Sequence, residues 1–337
     1  MVEAGWPEET VEAIVAERLD YGLPSEGDNP GIANHVVRNL DRLCGDVELI
    51  MSQLGYSSHD NVVRGVDPVS GPSAAMSPVM LTDEAVISVS TFFFRYCGLV
   101  ARAFARTLLI DPHHWDVGEF SVTSDRAKLR EKPELLLYWF QILTSFAVTG
   151  TNVLVQYKPC ASYEVLLMEQ VAYGMEIHAI AHEYGHHHIG HGRDISEDPQ
   201  ITEFEADDFA VRISSMLESK LIMGIPNPYL GSGAGASILL KSLELLQLHS
   251  EAIGVSEGAA TGSHPAIAER IDRFKNLGLM EPERLAAYTS FRSAVARIFN
   301  AVESECEFMR GVLPAEYYEN LREFHQTAHP PRRPGFL

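Results

Sequence analysis

Apolar residues recur at helical spacing along most of this chain. Val11, Ile14, Val15 and Leu19 predict a helix from Glu8 to Asp20, ended by Gly22 and Pro24. Val36, Val37, Leu40, Leu43, Val47, Ile50 and Met51 predict a second from Ile32 to Leu54, packed against the first. From Ser57 to Met80 the periodicity gives way to Ser, Gly and Pro, which predicts a loop or linker and a domain boundary. Thr82-Asp83-Glu84 reads as a helix start, because acids in a first turn complement the helix dipole, and this helix is expected to reach about Ile110. Its Phe92, Phe93, Phe94, Leu99, Val100, Phe104 and Leu108 read as core, while Arg95, Arg102 and Arg106 mark a wetter side. Asp111-Pro112 ends it. His113 and His114 follow directly, and neighbours on an extended chain point in opposite directions, so they read as loop residues rather than as a metal pair.

Leu135 to Tyr157 carries no charged residue and is long enough to cross a bilayer of roughly 30 Å. Gln141, Thr144, Ser145, Thr149, Gly150, Thr151, Asn152 and Gln156 interrupt it, a polar load that predicts a buried helix from near Pro133 followed by a strand from Asn152 to Tyr157. Glu164 to Ile189 predicts a long helix stopped by Gly190 and Gly192, and another is expected from near Ile201. Gly231 to Ala236 alternates glycine without the Gly-Lys-Ser/Thr of a phosphate loop, which predicts close packing or a mobile loop ahead of a helix from Ser237 to Gln247. Helices are expected again over 265–277, 281–311 and 315–326, before a His329-Pro-Pro-Arg-Arg-Pro tail. The chain thus reads as mainly α (α+β). Three regions are expected: 1–80, helical with the Ser/Gly/Pro-rich linker; 81–280; and 281–337, helices and tail.

Composition narrows the function. An apolar fraction of 46% over 337 residues supports packed cores. A formal net charge of −20 argues against a phosphate-binding surface, so no nucleic-acid partner is expected. Cys44, Cys97, Cys160 and Cys306 are widely spaced, which suits free thiols in a reducing compartment rather than a disulfide scaffold. Early acid and proline at the N-terminus do not suit a secretory signal, so a cytoplasmic location is expected.

The chemistry concentrates in His182-Glu183-Tyr184-Gly185-His186. Histidines four apart on a helix share a face and can share one metal ion. Glu183 points beside that ion, where it can take a proton from water. His178 stands one turn earlier, but His178 and His186 lie about 12 Å apart along the axis, too far for successive turns to surround one ion. His178 is therefore read as supporting the site from behind. The third ligand is assigned to Glu203, on the helix starting near Ile201. Asp207 shares its face and is expected to accept a hydrogen bond from a ligand histidine, while the small Ala206 lets the two helices approach. Glu205 projects elsewhere and is the weaker ligand candidate. His187 and His188 fall on other faces of the metal helix.

Together with His191, Glu203-x-x-Ala-Asp207, Gly262-Ser-His264-Pro265 and Glu269-Arg270-Ile271, this HExxH sequence resembles the gluzincin zinc metallopeptidases of the CAAX-prenyl-protease and HtpX group and their soluble relatives, the minigluzincins. The likeness spans about Val153 to Phe274. ImmA/IrrE-type regulators share the pattern of Glu203 to Ala210, and Lit-type phage-exclusion peptidases are a third neighbour. The resemblance implies a zincin-like core with a long HExxH helix, a short antiparallel sheet and added N- and C-terminal helices. It implies a zinc-dependent endopeptidase acting on a protein or peptide substrate, with Zn2+ on His182, His186 and Glu203 and with Glu183 as general base. His264 or Tyr229 would stabilise the oxyanion. A strand such as 152–157 would pair with substrate backbone. The paired membrane spans of some members are missing, so membrane association is not expected, and the oligomeric state stays open. The alternative, from another class, is a regulatory protein that keeps this fold without turnover; the intact Glu183 favours the enzyme.

Overall fold

The computed structural model describes residues 30–67, 69–79, 82–108, 126–127, 129–156, 162–190, 198–219, 221–222, 225–255, 265–274 and 282–328. The expected helix from Glu8 to Asp20, the His113-His114 pair and the C-terminal tail lie outside these residues.

Helix α1 (Pro30–Gln53) buries Leu40, Leu43, Val47 and Met51 on one stripe, as the spacing predicts. The next segment differs from its reading as a loop. After one 3-10 turn at Ser58–Asn61 it contains β1 (Val62–Asp67) and β2 (Ala74–Pro78), and β3 (Ala85–Ser90) follows where a helix start was expected. The strand order is β1-β3-β2, with β1 parallel and β2 antiparallel to β3, so this sheet is mixed rather than antiparallel. Its edge strands bury little and β2 ends in Pro78, tolerated at an edge, so neither shows an apolar run. Central β3 does alternate, burying Ala85, Ile87 and Val89. The Thr82 hydroxyl accepts from the Glu84 backbone N–H, but that local turn leads into a strand.

Helix α2 (Phe93–Leu108) is shorter than expected; Arg95 and Arg106 stay partly exposed on its wetter side, as expected, whereas Arg102, read as part of that side, is buried with the core aromatics. Helix α3 (Pro133–Thr149) starts at its proline and stops at Gly150 in the left-handed region (φ 66°). No described helix is long and apolar enough to cross a membrane. The strand expected at 152–157 is absent from the described part, 152–156, because the chain folds back on α3. There Ser145 Oγ donates to the Thr151 carbonyl and accepts from the Leu154 N–H, leaving no backbone ladder to extend.

The central element is α4 (Ser162–Ile189), in which every residue from Gln170 to His187 is buried. It packs on α1, α2 and β2, and on α5 (Pro199–Met216). A two-residue antiparallel hairpin, β4 (Leu221–Ile222) and β5 (Ile225–Pro226), leads through the single-turn α6 (Pro228–Gly231) to α7 (Ala234–Ile253). Here the glycine run serves close packing. A Cβ on Gly235 would stand 2.5 Å from the carbonyl carbon of Gly174, so α7 touches α4 backbone to backbone. Helices α8 (Ile267–Arg273), α9 (Pro282–Val312) and α10 (Ala315–Ala328) complete the described chain. The protein is mainly helical with a small sheet, and one continuous apolar cluster runs from Val36 in α1 to Cys306 in α9.

Candidate metal centre

Helix α4 carries His182, Glu183 and His186 near its C-terminal end, just before Gly190 (φ 77°). Helix α5 starts with Asp198, whose side chain accepts from the Gln200 N–H, and Pro199 in the first turn; this start sets the rotation that turns Glu203 and Asp207 toward α4. The helices cross at Gly185 and Ala206. A Cβ on Gly185 would lie 2.9 Å from Ala206 Cα and 3.0 Å from its carbonyl oxygen, so only glycine permits this approach.

That approach brings three donors together. The Nε2 atoms of His182 and His186 are 3.0 Å apart. Glu203 Oε2 is 3.4 Å from the first and Oε1 is 3.3 Å from the second. All three residues are buried, and among the described residues they form the group able to hold a metal ion. Bonds of about 2.0–2.1 Å around a tetrahedral ion separate neighbouring ligand atoms by about 3.3 Å, close to what is found. The set supplies three protein ligands, the number that leaves a tetrahedral ion one open position.

Asp207, fully buried, organises the back of the site. Its Oδ1 lies 3.0 Å from His182 Nδ1, although the N–H is not well aligned for a hydrogen bond. The carboxylate nonetheless favours the tautomer with its proton on Nδ1, which leaves Nε2 bare toward the ligand cluster. Arg270 of α8 closes on the same carboxylate with two bonds, Nε to Oδ2 at 2.7 Å and Nη2 to Oδ1 at 2.8 Å. Burial alone would raise the Asp207 pKa, but the Arg270, His178 and His182 contacts hold it well below the ordinary value. Burial likewise opposes charge on His182, yet Asp207 and Glu203 outweigh it and raise its pKa to about 10. In the absence of a metal ion a proton fills the same role among these acceptors.

The other sequence candidates fall as follows. Glu183 is buried beside the ligands, close enough to act electrostatically on His182 and Arg270. His178 stands behind the cluster, its Nε2 3.6 Å from Asp207 Oδ1 and its ring edge-on to Phe274; burial lowers its pKa. Glu205 is exposed. His187 Nε2 meets the Ser58 carbonyl at 2.9 Å, and His188 meets the Ser58 hydroxyl at 3.1 Å, so both tie α4 to the turn before β1. Tyr229 is buried with its ring against Phe291 and its Cβ beside Gly174, two turns before His182. His264 and His191 lie outside the described residues.

Arg270, quoted from the sequence only as part of the resemblance, was given no role there, and its pairing with Asp207 is new. The signal was present in Arg270 and Arg273, three apart, which pair with the adjacent Asp207 and Asp208. Asking which cation offsets a buried Asp207 would have found it. No family model matches this chain, and neither does any curated protein or solved structure.

Proposed function

We propose that this chain is a zinc-dependent endopeptidase that hydrolyses peptide bonds in a protein or peptide, with Glu183 as general base. The observation that carries this reading is the convergence of His182, His186 and Glu203 at 3.0 to 3.4 Å with the buried Glu183 next to the first of them on the same helix. Two imidazoles and one carboxylate form a nitrogen and oxygen set that suits zinc and leaves much of a divalent charge uncancelled. The sequence likeness to HExxH peptidases points the same way. A zinc ion bound there would polarise the scissile carbonyl and strengthen water as a nucleophile near neutral pH.

The protein's own groups divide the remaining work. Glu183 takes a proton from the attacking water and hands it to the departing amine nitrogen. Asp207 holds His182 in the tautomer that presents Nε2. The buried walls contributed by α4 and α5 keep bulk water from competing for these groups.

The test is cleavage of an unstructured polypeptide by purified protein, with and without a chelator, beside Glu183→Gln. The expected result is that chelation abolishes cleavage and added Zn2+ restores it. Glu183→Gln should retain the metal while cleaving at least about 100-fold more slowly. Equal cleavage by the variant would remove Glu183 from the mechanism. Stoichiometric zinc without cleavage by either protein would favour a partner-binding role.

A further inference from the structure

Arg270 stands where its charge alone would work against a metal site. Its Nη2 lies 3.6 Å from Glu203 Oε2, on a carboxylate that faces both histidines. A fixed positive charge at that distance repels a cation held by the same carboxylate. The guanidinium nevertheless spends its two short bonds on Asp207, 2.7 Å and 2.8 Å long, and both residues are buried. Both Asp207 oxygens are therefore occupied, and Oδ1 is pinned 3.0 Å from His182 Nδ1. An aspartate without that fork could rotate about its side-chain bonds and leave His182 unaimed.

We propose that Arg270 is a positioning residue of the metal centre: by holding both oxygens of Asp207 it keeps His182 Nε2 aimed at the ion, and this outweighs the repulsion from its own charge. This rests on the metal-site reading above. The same helix pair offers an internal control. Arg273 of α8 forms a bond of 2.8 Å with Asp208 of α5, near the surface. If Arg270 only fastened α8 to α5, losing either arginine would have similar consequences.

The sign of the effect separates the possibilities. Removing a mere charge beside the site would tighten metal binding, whereas removing a positioner weakens it. Full-length wild type, Arg270→Met, Arg270→Lys, Arg273→Met and Asp207→Asn are titrated with Zn2+ against a chromophoric chelator. The visible spectrum of each Co2+-loaded protein is recorded alongside. Arg270→Met should lower Zn2+ affinity about tenfold or more and weaken the tetrahedral Co2+ bands as water enters the coordination sphere. Arg270→Lys keeps the charge but loses the planar fork, and should lose nearly as much. Arg273→Met should stay within about twofold of wild type. In an Asp207→Asn background, Arg270→Met should add no more than about twofold, since its target is gone.

Should Arg270→Met fail to fold, Arg270→Lys, alone and combined with Asp207→Asn, still decides the question. The proposal is overturned if affinity and spectrum do not change, if affinity rises, if Arg273→Met has the same effect, or if the loss persists in the Asp207→Asn background. A wild type that binds no Zn2+ or Co2+ overturns the metal reading itself, and is distinguishable because no variant then has an affinity to compare.

Discussion

His182 and His249 are both buried histidines, yet their surroundings push them in opposite directions. His182 faces Asp207 and Glu203, which outweigh burial and raise its pKa from 6.5 to about 10. His249 lies between the Thr144 hydroxyl and the Arg310 guanidinium, and burial with that charge lowers its pKa to about 3. In metal-free protein, the raised His182 contributes stability that is complete below pH 6.5 and is lost as pH climbs to about 10. The depressed His249 contributes stability that is present above pH 6.5 and lost as pH falls toward about 3. Chelated protein should therefore be most stable near neutral pH, and His249→Gln should flatten the acid side. Thermal melts across the pH range check this, and a Tm that climbs steadily from neutral to alkaline pH would contradict it. Metal binding must also displace the His182 proton. Affinity should rise with pH by up to about tenfold per unit below pH 10, read by chelator competition.

At the scale of elements, the α4–α5 crossing sets the site. Two opposing effects meet in Gly185→Ala. Alanine favours a helix by about 1 kcal/mol over glycine, but here its Cβ would meet backbone atoms of Ala206 at 2.9 Å and 3.0 Å, and overpacking costs about 1–3 kcal/mol. Backbone cannot rotate out of the way, so the helices must part and carry Glu203 from the histidines. We expect a net loss of stability of up to about 2 kcal/mol and a fall in metal affinity of about tenfold or more. Gly98→Ala in α2, where nothing lies within 4 Å, should instead raise the melting temperature and leave metal binding alone. The helices themselves were legible because they carry their own local signals: the apolar stripe of α1, Pro133 at the start of α3, and Gly190 at the end of α4. The sheet was not, because β1 and β2 are edge strands whose partner, β3, is inserted between them.

Across the whole molecule, α1 and the sheet brace the metal helix from behind. Tyr184, inside the HExxH sequence, donates to Glu48 of α1, which also pairs with Arg64 of β1. Tyr173 donates to Asp46 at 2.5 Å, and His187 and His188 reach Ser58. Tyr184→Phe should lower stability by about 1–3 kcal/mol, the usual loss for a hydrogen bond to a charged group, because Glu48 keeps Arg64 but loses a buried donor. Denaturant midpoints measure that loss. Zn2+ affinity should stay within about twofold, since Tyr184 points away from the ligands toward α1; a parallel loss of affinity would mean that the brace also aims the site. The sequence by itself determined the helical character, the shared face of His182 and His186 with Glu183 beside it, and the shared face of Glu203 and Asp207, because helical periodicity is a local property that residue spacing reveals. Only the tertiary structure decided that α8 supplies Arg270 and that β1, β2 and β3 form a mixed sheet. It also decided that Tyr184 and His187 serve the N-terminal layer. Those facts depend on which buried charge meets which partner across distant elements, and no short-range pattern encodes that meeting.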